Sequence, residues 1–323
     1  MPVTPEVQSL LDMIAAVDAP PAAEQSPGEM RASYAQLSAF AVKDDVADVA
    51  DRTIPGPAGD IPIRVYWPAV GGGAGGRDAG EAPGVLVYFH GGGWSIGSIE
   101  THDGVCRALA NGAGVVVVSV EYRLGPEVPF PGALDDAVAA VLWVAANGPE
   151  LRADVTRLAV GGDSAGGNLA AAVSQLLRDG GPDIAFQLLV YPAVDMTLSH
   201  PSIDENAEGY FLTKETMVWF RANYMGDGGH DPRDPRLSPL HAAPAALRDL
   251  PPALVLTAEY DPLRDEGEAY AQALAGAGVE VTVTRYDGMI HGFFSLRDII
   301  PEGKQALDQA CEALADHLGR GVA

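Results

Sequence analysis

Lysine is scarce in this chain, and basic charge is scarce with it. Of 323 residues, 20 are lysine or arginine and 44 are aspartate or glutamate, which gives a formal net charge of −24 at pH 7. The lysines are Lys43, Lys214 and Lys304. So acidic a chain does not attract phosphate backbones or anionic lipid headgroups. The charge balance therefore excludes nucleic acid and anionic membranes as partners bound by charge, and it favours a neutral or cationic small molecule.

Cysteines and long apolar runs are also few. Cys106 and Cys311 are the only cysteines, and two such distant residues do not make a disulfide scaffold, so we expect buried, idle thiols. No apolar run approaches the roughly 18 residues of a membrane span. The first residues lack the basic segment and apolar core of a signal peptide. These absences predict a cytoplasmic protein with no membrane partner.

Short apolar runs alternate with segments of helical period along most of the chain. Runs without polar residues are typical of strands buried in a parallel sheet, and the alternation predicts an α/β fold with a mostly parallel sheet. Strands are predicted at residues 46–54, 61–67, 85–89, 115–120, 158–161, 186–190, 253–257 and 279–286. Helices are predicted at residues 105–111, 133–146, 168–177, 263–276 and 303–318.

Other segments do not follow this alternation. Two helical patterns, residues 7–17 and 27–40, precede the first strand. Residues 195–230 are rich in aromatic side chains and long for a connection, and such insertions near a site are often lids. The glycine-rich residues 71–84 lack the ending of a phosphate-binding loop and are interpreted as a surface connection. Residues 230–235 contain prolines and an arginine, so we interpret them as a loop rather than a metal site.

A serine lies between two glycines where one apolar run ends and a helical pattern begins. Gly162-Asp163-Ser164-Ala165-Gly166 matches G-x-S-x-G, the motif of a sharp strand-to-helix turn called the nucleophile elbow. Side chains two residues before and after the serine would collide in such a turn, so both positions need glycine. The turn exposes the hydroxyl in front of the positive end of a helix. Ser164 is therefore the predicted nucleophile.

A serine hydroxyl needs a base, and the base needs a carboxylate that orients it. In doubly wound hydrolases these residues follow one another along the chain as serine, acid and histidine. Ser164, Asp261 and His291 occur in that order, each just after a predicted strand. Carboxyl ends of parallel strands meet at one edge of a sheet, so the three side chains are expected to gather there. Asp195, which follows the strand at residues 186–190, is the alternative acid.

A second glycine-rich segment follows the strand at residues 85–89. The loop at this position contributes backbone N–H groups to an oxyanion hole, and bare glycines let the backbone approach a substrate oxygen. The predicted donors are the N–H groups of Gly92, Gly93 and Ala165. The residues predicted to support them are His90, Gly91 and Asp163.

These motifs together resemble the hormone-sensitive-lipase-like branch (family IV) of the α/β-hydrolase carboxylesterases. The resemblance rests on residues 90–94 (HGGGW), 121–124 (EYRL), 162–168 (GDSAGGN), 261–267 (DPLRDEG) and 291–293 (HGF). The matching stretches span most of residues 46–318. One departure is visible, because residues 124–128 read Leu-Gly-Pro-Glu-Val where the family usually has Leu-Ala-Pro-Glu-His.

The resemblance implies an α/β-hydrolase fold, with a mostly parallel eight-stranded sheet flanked by helices and covered by a helical cap. Residues 1–45 and 195–230 would form the cap, and residues 46–194 and 231–323 the core. It implies hydrolysis of short- to medium-chain acyl esters without a metal or organic cofactor, and it suggests a homodimer.

An amidase or deacetylase would use the same residues. A related receptor lineage lacks the catalytic histidine, which His291 supplies here.

Overall fold

The computed structural model describes residues 2–17, 20–38, 41–69 and 82–319. In this part of the chain eight strands form one sheet with the order β1-β2-β4-β3-β5-β6-β7-β8. β2 pairs antiparallel with β1 and β4, and all other pairs are parallel. The strands are β1 (Asp48–Gly56), β2 (Gly59–Trp67), β3 (Val85–Phe89), β4 (Val116–Val120), β5 (Leu158–Asp163), β6 (Ile184–Val190), β7 (Ala253–Tyr260) and β8 (Val281–Ile290). The predicted fold class is confirmed.

Helices cover both faces of this sheet. They are α1 (Pro5–Ala15), α2 (Pro27–Ser38), α3 (Asp103–Ala113), α4 (Gly132–Ala146), α5 (Gly148–Leu151), α6 (Ala165–Leu177), α7 (Pro201–Glu205), α8 (Lys214–Met225), α9 (Arg264–Gly276) and α10 (Pro301–Leu318). Short 3-10 helices lie at Ala22–Glu24, Pro239–His241, Pro244–Leu247 and Phe293–Leu296. α4, α6 and α9 pack on one face, and α3 and α10 on the other.

The central strands are apolar throughout because both of their faces are covered. All residues of β3 are buried; Val85, Val87 and Phe89 face one cluster of apolar side chains, and Leu86 and Tyr88 face the other. This arrangement is the physical reason for a continuous apolar run where a half-exposed strand would alternate. Both cysteines are buried and unbridged in these packed layers. In the described residues, no helix is long and apolar enough to cross a membrane.

Several predicted boundaries are wrong. The turn predicted over residues 55–60 is tighter, because the β1–β2 ladder continues to the pair Gly56 and Gly59. β8 runs on to Ile290 instead of ending at residue 286. The helix that was predicted to continue over residues 168–177 begins at Ala165, directly after the serine. α2 ends at Ser38. The rest of the second predicted helix, residues 39 and 40, and residues 71–81 of the glycine-rich connection lie outside the described residues.

The segment after β6 contains two helices. α7 and α8 lie within residues 195–230, and α8 contacts the 3-10 helix Ala22–Glu24 of the N-terminal segment. The two segments that the sequence sets apart from the sheet therefore touch each other.

Candidate active site

The strand register brings the predicted site residues together. Phe89, the last residue of β3, lies opposite Gly162 of β5, so the glycine-rich loop leaves the sheet beside the elbow. Tyr260 of β7 lies opposite Ile290 of β8, so the next residues of these strands, numbers 261 and 291, leave the sheet side by side. All of these strand ends lie at the carboxyl edge, where a doubly wound sheet holds its ligands.

The turn around Ser164 is strained as the motif requires. Ser164 has φ 57° and ψ −117°, a conformation that L residues seldom adopt. A Cβ on Gly162 would lie 2.5 Å from the backbone carbonyl carbon of Gly166, and one on Gly166 would overlap the carbonyl oxygen of Phe89. The two glycines therefore let α6 begin directly against β3 and β5.

A continuous series of hydrogen bonds joins Asp261, His291 and Ser164. His291 Nδ1 lies 2.7 Å from Asp261 Oδ2, and His291 Nε2 lies 3.0 Å from Ser164 Oγ. An Nδ1–H that donates to the carboxylate leaves Nε2 as the acceptor for the serine hydroxyl. Asp261 is fully buried and also accepts the N–H of Leu263 at 2.8 Å. Ser164 and His291 keep only 9% and 7% of their surface exposed, so the pair is shielded from most solvent.

Asp195, the alternative acid, is bonded to other histidines. Its Oδ1 lies 2.9 Å from His241 Nε2, and its Oδ2 lies 3.3 Å from His200 Nε2. Burial acts to raise the pKa of Asp195, but hydrogen bonds from Thr197 and His241 outweigh it and hold that pKa below the usual range. Of the two candidate acids, Asp261 is the one in contact with His291.

The glycine-rich loop after β3, residues 90–94, is called the oxyanion loop below. It turns through three successive residues with positive φ. These residues are Gly92 (120°), Gly93 (54°) and Trp94 (55°). The carbonyl of Gly92 accepts the N–H groups of Ser95 at 3.0 Å and Ile96 at 2.9 Å. In a trans peptide the C=O and the following N–H point in opposite directions, so the Gly93 N–H points away from this turn. The conformation of Trp94 costs about 1–3 kcal/mol and persists only where neighbouring groups hold it.

The third predicted donor belongs to the helix that follows the serine. Ala165 is the first residue of α6, where N–H groups have no partner within the helix. The partial positive charge of the helix N-terminus lies at the same place. Both features suit the negative oxygen that forms when an acyl carbonyl is attacked.

The Asp163 carboxylate connects the elbow with the oxyanion loop. Its Oδ1 accepts the hydroxyl of Tyr88 at 2.8 Å and the N–H of Gly91 at 3.0 Å, and His102 Nε2 lies 3.4 Å from Oδ2. Burial acts to raise the pKa of Asp163, but His102 and the hydroxyl of Tyr88 hold it below the usual range. An ionised carboxylate therefore holds the start of the loop.

His90 holds the same loop from its other side. Its Nδ1 donates to the carbonyl of Gly91 at 2.8 Å, and its ring stacks on Tyr122 with 4.3 Å between centroids. The Tyr122 hydroxyl donates to the His90 carbonyl at 2.7 Å. Burial, and then the nearby His102, lowers the pKa of His90 to about 3, so its ring is neutral at pH 7. A neutral ring can donate from Nδ1 without a buried charge.

Sequence reasoning missed three side chains that support this arrangement. Tyr88 lies within an apolar strand, where it is expected only to pack, and His102 belongs to no recognised motif. Both nevertheless contact Asp163. Glu266 stands in the DPLRDEG stretch, where its position was the one available signal. Its Oε1 accepts the N–H of Val194 at 2.7 Å and that of the next residue at 3.1 Å. Glu266 thereby joins the loop after β6 to the helix that follows Asp261.

Residues 195–230 contact the site in two places. The ring of Phe220, on α8, packs against Gly93 so closely that a Cβ there would overlap it. Phe211 lies beside the loop of the histidine, 3.2 Å from where a Cβ on Gly292 would be. Aromatic side chains of this segment therefore border both the oxyanion loop and the His291 loop. Among the described residues, no group of histidine, cysteine, aspartate or glutamate side chains could hold a metal ion.

Comparison with known proteins identifies the family and the fold. Residues 86–295 match the model of a protein family with the alpha/beta hydrolase fold. The chain is 44% identical to the carboxylic ester hydrolase LipN of Mycobacterium tuberculosis, over 84% of this chain and 71% of that protein. It is 47% identical to the carboxylesterase NlhH of the same species, over 79% of this chain and 78% of that protein.

Solved structures agree as well. The hyperthermophilic esterase of Pyrobaculum calidifontis superimposes with a TM-score of 0.90 at 43% identity, and 98% of each chain is covered. The chain therefore belongs to the hormone-sensitive-lipase-like family of carboxylic ester hydrolases with the α/β-hydrolase fold.

Proposed function

We propose that this carboxylic ester hydrolase cleaves short- to medium-chain acyl esters, with Ser164 as nucleophile, His291 as base and Asp261 as the orienting acid. The observation that carries the proposal is the hydrogen-bond series itself, with 2.7 Å between Asp261 and His291 and 3.0 Å between His291 and Ser164. The contact between His291 and the serine also argues against a receptor-like member that binds its ligand without reacting.

In the acylation step, Ser164 Oγ attacks the ester carbonyl carbon while His291 Nε2 takes the hydroxyl proton. Asp261 orients the imidazole and stabilises its positive charge. The carbonyl oxygen becomes negative and accepts the N–H groups of residues 92, 93 and 165. The bond to the alcohol oxygen then breaks, and that oxygen takes the proton from His291. An acyl group remains on the serine.

In the second step, water completes the reaction. His291 takes a proton from water, the hydroxide attacks the acyl carbon, and the same N–H groups hold the second oxyanion. When the bond to Ser164 Oγ breaks, His291 returns the proton to the serine. The carboxylic acid leaves, and the starting protonation states are restored.

We propose residues 1–45 and 195–230 as the cap, and residues 46–194 and 231–323 as the core. The contact between α8 and Ala22–Glu24 supports one continuous cap. The contacts of Phe220 with Gly93 and of Phe211 with Gly292 support a cap that borders the substrate. Aromatic side chains this close to the reacting groups limit acyl length, which is why short to medium chains are the proposed substrates.

A cytoplasmic location and a homodimer also belong to the proposal. Unbridged cysteines fit a reducing compartment, and Cys106 and Cys311 are both free and buried. β8 is the last strand of the sheet and exposes Val283 at 50%, which supports a second copy pairing along this edge. Cell fractionation tests the location, and light scattering of the Val283→Lys variant against the unaltered protein tests the dimer.

The central experiment is hydrolysis of chromogenic acyl esters from acetyl to palmitoyl by the unaltered protein and by Ser164→Ala. Ser174→Ala is a matched control, because Ser174 is buried on α6, which begins directly after Ser164, and its hydroxyl donates to the carbonyl of Ala170 within that helix. We expect turnover on short and medium chains, its loss in Ser164→Ala, and its retention in Ser174→Ala. Turnover of amides but not esters would replace the proposal with an amidase, and full activity of Ser164→Ala would refute the assigned nucleophile.

A further inference from the structure

One arginine of the N-terminal segment reaches the loop that follows the oxyanion glycines. Arg31 lies on α2, and its Nε donates to the carbonyl of Ser95 at 2.8 Å. Its Nη2 donates to the carbonyl of Gly125 at 3.0 Å. Nη1 and Nη2 also donate to the carboxylate of Glu127, at 2.8 and 2.7 Å. A single guanidinium therefore joins α2 to two separate loops of the core.

Both backbone partners of Arg31 are themselves bonded to the oxyanion loop. The N–H of Ser95 donates to the carbonyl of Gly92, and the N–H of Gly125 donates to the carbonyl of Trp94. The Gly92 carbonyl belongs to the same peptide unit as the Gly93 N–H, so whatever holds the carbonyl also sets the direction of that N–H. Arg31 thus acts on the turn through residues 95 and 125, although it lies outside the turn.

This turn needs such restraint, because its strained residues relax if they are released. Gly92, Gly93 and Trp94 all have positive φ, and tryptophan seldom adopts such a value. The core holds the beginning of the loop through the N–H of Gly91, which donates to Asp163. Tyr224 stacks on Trp94 with 4.5 Å between ring centroids. Arg31 adds a contact from the N-terminal segment.

We propose that Arg31 is a positioning residue for the oxyanion hole. By holding the carbonyls of Ser95 and Gly125, it keeps the Gly93 N–H aimed at the negative oxygen, so α2 completes the hole from outside the core. Arg31 makes no hydrogen bond to Ser164, Asp261 or His291 in the described part of the chain. The inference deepens the proposed function and rests on it.

The surroundings of Arg31 favour an effect on the loop over an effect on global stability. The side chains of Arg31 and Glu127 are 32% and 58% exposed, and ion pairs in contact with water contribute little to the stability of a fold. An open cleft of about 580 Å³ lies beside the pair and is lined by both residues together with Leu124 and Val128. Loss of the guanidinium would therefore release the carbonyls without opening a cavity in the core.

The test compares Arg31→Ala and Arg31→Lys with a matched control, Arg178→Ala. Arg178 also donates to a backbone carbonyl, that of Ala245 at 2.9 Å, and pairs with an acidic neighbour, Asp179. It follows the last residue of α6, about 20 Å along that helix from Ser164. The measurements are kcat and KM per active site, titrated with a fluorophosphonate, and amide hydrogen exchange of a peptide covering residues 90–97.

We expect Arg31→Ala to lower kcat by about 10- to 100-fold with KM within about threefold, since a misdirected donor costs less than a deleted one. Exchange in residues 90–97 should rise. Arg31→Lys has a single nitrogen for several acceptors, so its kcat and its exchange should lie between those of Arg31→Ala and of the unaltered protein. Arg178→Ala should leave both readouts unchanged. A merely structural role would lower the fraction of titratable sites and leave kcat per site intact.

The outcomes separate this inference from the proposed function. If the unaltered protein hydrolyses esters and Arg31→Ala keeps its kcat per site, the positioning role is refuted while the proposed function stands. Equal exchange in the 90–97 peptide of Arg31→Ala and of the unaltered protein also refutes it. If the unaltered protein hydrolyses no ester and exchange rises in Arg31→Ala alone, the proposed function fails and the restraint of the loop is supported.

Discussion

The carboxylate of Asp163 accepts the N–H of Gly91 at 3.0 Å, so the residue before the serine holds the loop that carries the oxyanion glycines. The contact is close enough that a Cβ on Gly91 would overlap the Asp163 carboxylate. Nucleophile and oxyanion donors therefore lie on two loops tied to each other by a charged group. The protein itself makes this link, which is the preorganisation that acyl transfer needs.

Two substitutions of Asp163 can separate the effect of its negative charge from the effect of its hydrogen bonds. Asp163→Asn keeps an acceptor oxygen for Gly91 and Tyr88. Asp163→Ala leaves the buried Tyr88 hydroxyl without a partner, at about 1–3 kcal/mol, and leaves the Gly91 N–H only its 3.3 Å contact with His102 Nε2. We expect kcat/KM for an ester to fall about 100-fold in the alanine variant and less than about tenfold in the asparagine variant. Ester kinetics and urea unfolding of both variants provide the measurement. Equal losses of kcat/KM in the two variants would mean that the negative charge of Asp163, rather than its hydrogen bonds, holds the loop.

A second prediction concerns the two candidate acids. Asp261→Asn should lower kcat by about 10⁴, the loss found in a comparable serine protease, because the imidazole loses the carboxylate that sets its tautomer. Asp195→Asn should cost less than about tenfold, because Asp195 contacts His241 and His200 instead of His291. Steady-state kinetics of the two matched variants decides between them. The reverse order of losses would make Asp195 the acid.

A third prediction is a pH dependence of stability from Glu266. Burial raises the pKa of this carboxyl well above its usual range, the charges of Asp195 and Asp261 add to the rise, and two N–H contacts oppose it. Above the unfolded pKa of about 4.3, the folded state keeps the proton that the unfolded state releases. The free energy of unfolding therefore falls as pH rises, by up to about 1.4 kcal/mol per pH unit, until the folded pKa is passed.

Glu266→Gln removes this titration and keeps an oxygen for the N–H groups of Val194 and Asp195. We expect the stability difference, variant minus unaltered protein, to grow between pH 5 and pH 8. Urea unfolding at both pH values measures it. A difference that stays constant, or that shrinks toward pH 8, would show that Glu266 has no raised pKa in the folded protein.

A fourth prediction compares two glycines that differ in the space around them. Gly166→Ala places a methyl group into the carbonyl oxygen of Phe89, so the turn or β3 must shift. We expect a loss of more than about 2 kcal/mol in the free energy of unfolding, together with loss of ester turnover. Gly276→Ala, at the last residue of α9, meets no atom within 4 Å and should stabilise the protein by about 0.4–1 kcal/mol. Thermal unfolding of both variants tests the contrast, and similar melting temperatures would contradict it.

Much of the architecture was predictable because its causes are local. The runs at residues 85–89 and 158–161 contain no charged side chain, and such runs have to be buried on both faces of a sheet. The glycines around Ser164 and the HGGG segment show where the backbone bends sharply or is approached closely. These residue types, and their order along the chain, were sufficient to indicate the fold class and the three residues Ser164, Asp261 and His291.

Strand ends were less predictable, because hydrogen bonds to a neighbouring strand determine them. β8 was expected to stop at residue 286, yet its pairing with β7 carries it to Ile290, directly before His291. The hairpin between β1 and β2 was expected to open at residue 55, but the ladder continues to Gly56 and Gly59. Gly56 and Gly288 belong to a residue type that is depleted in strands, so the pairing with the neighbouring strand decides where these strands stop.

The sequence by itself determined which residues could react and that they follow strands of one parallel sheet. Only the tertiary structure decided which of them meet. His291 lies 127 positions from Ser164 and 30 from Asp261, and the register of β7 against β8 brings Asp261 rather than Asp195 to the histidine. Likewise, Arg31 reaches Ser95, which follows the oxyanion glycines, across 64 positions. No local preference encodes such contacts, since they result from the packing of whole strands and helices whose apolar faces are buried together.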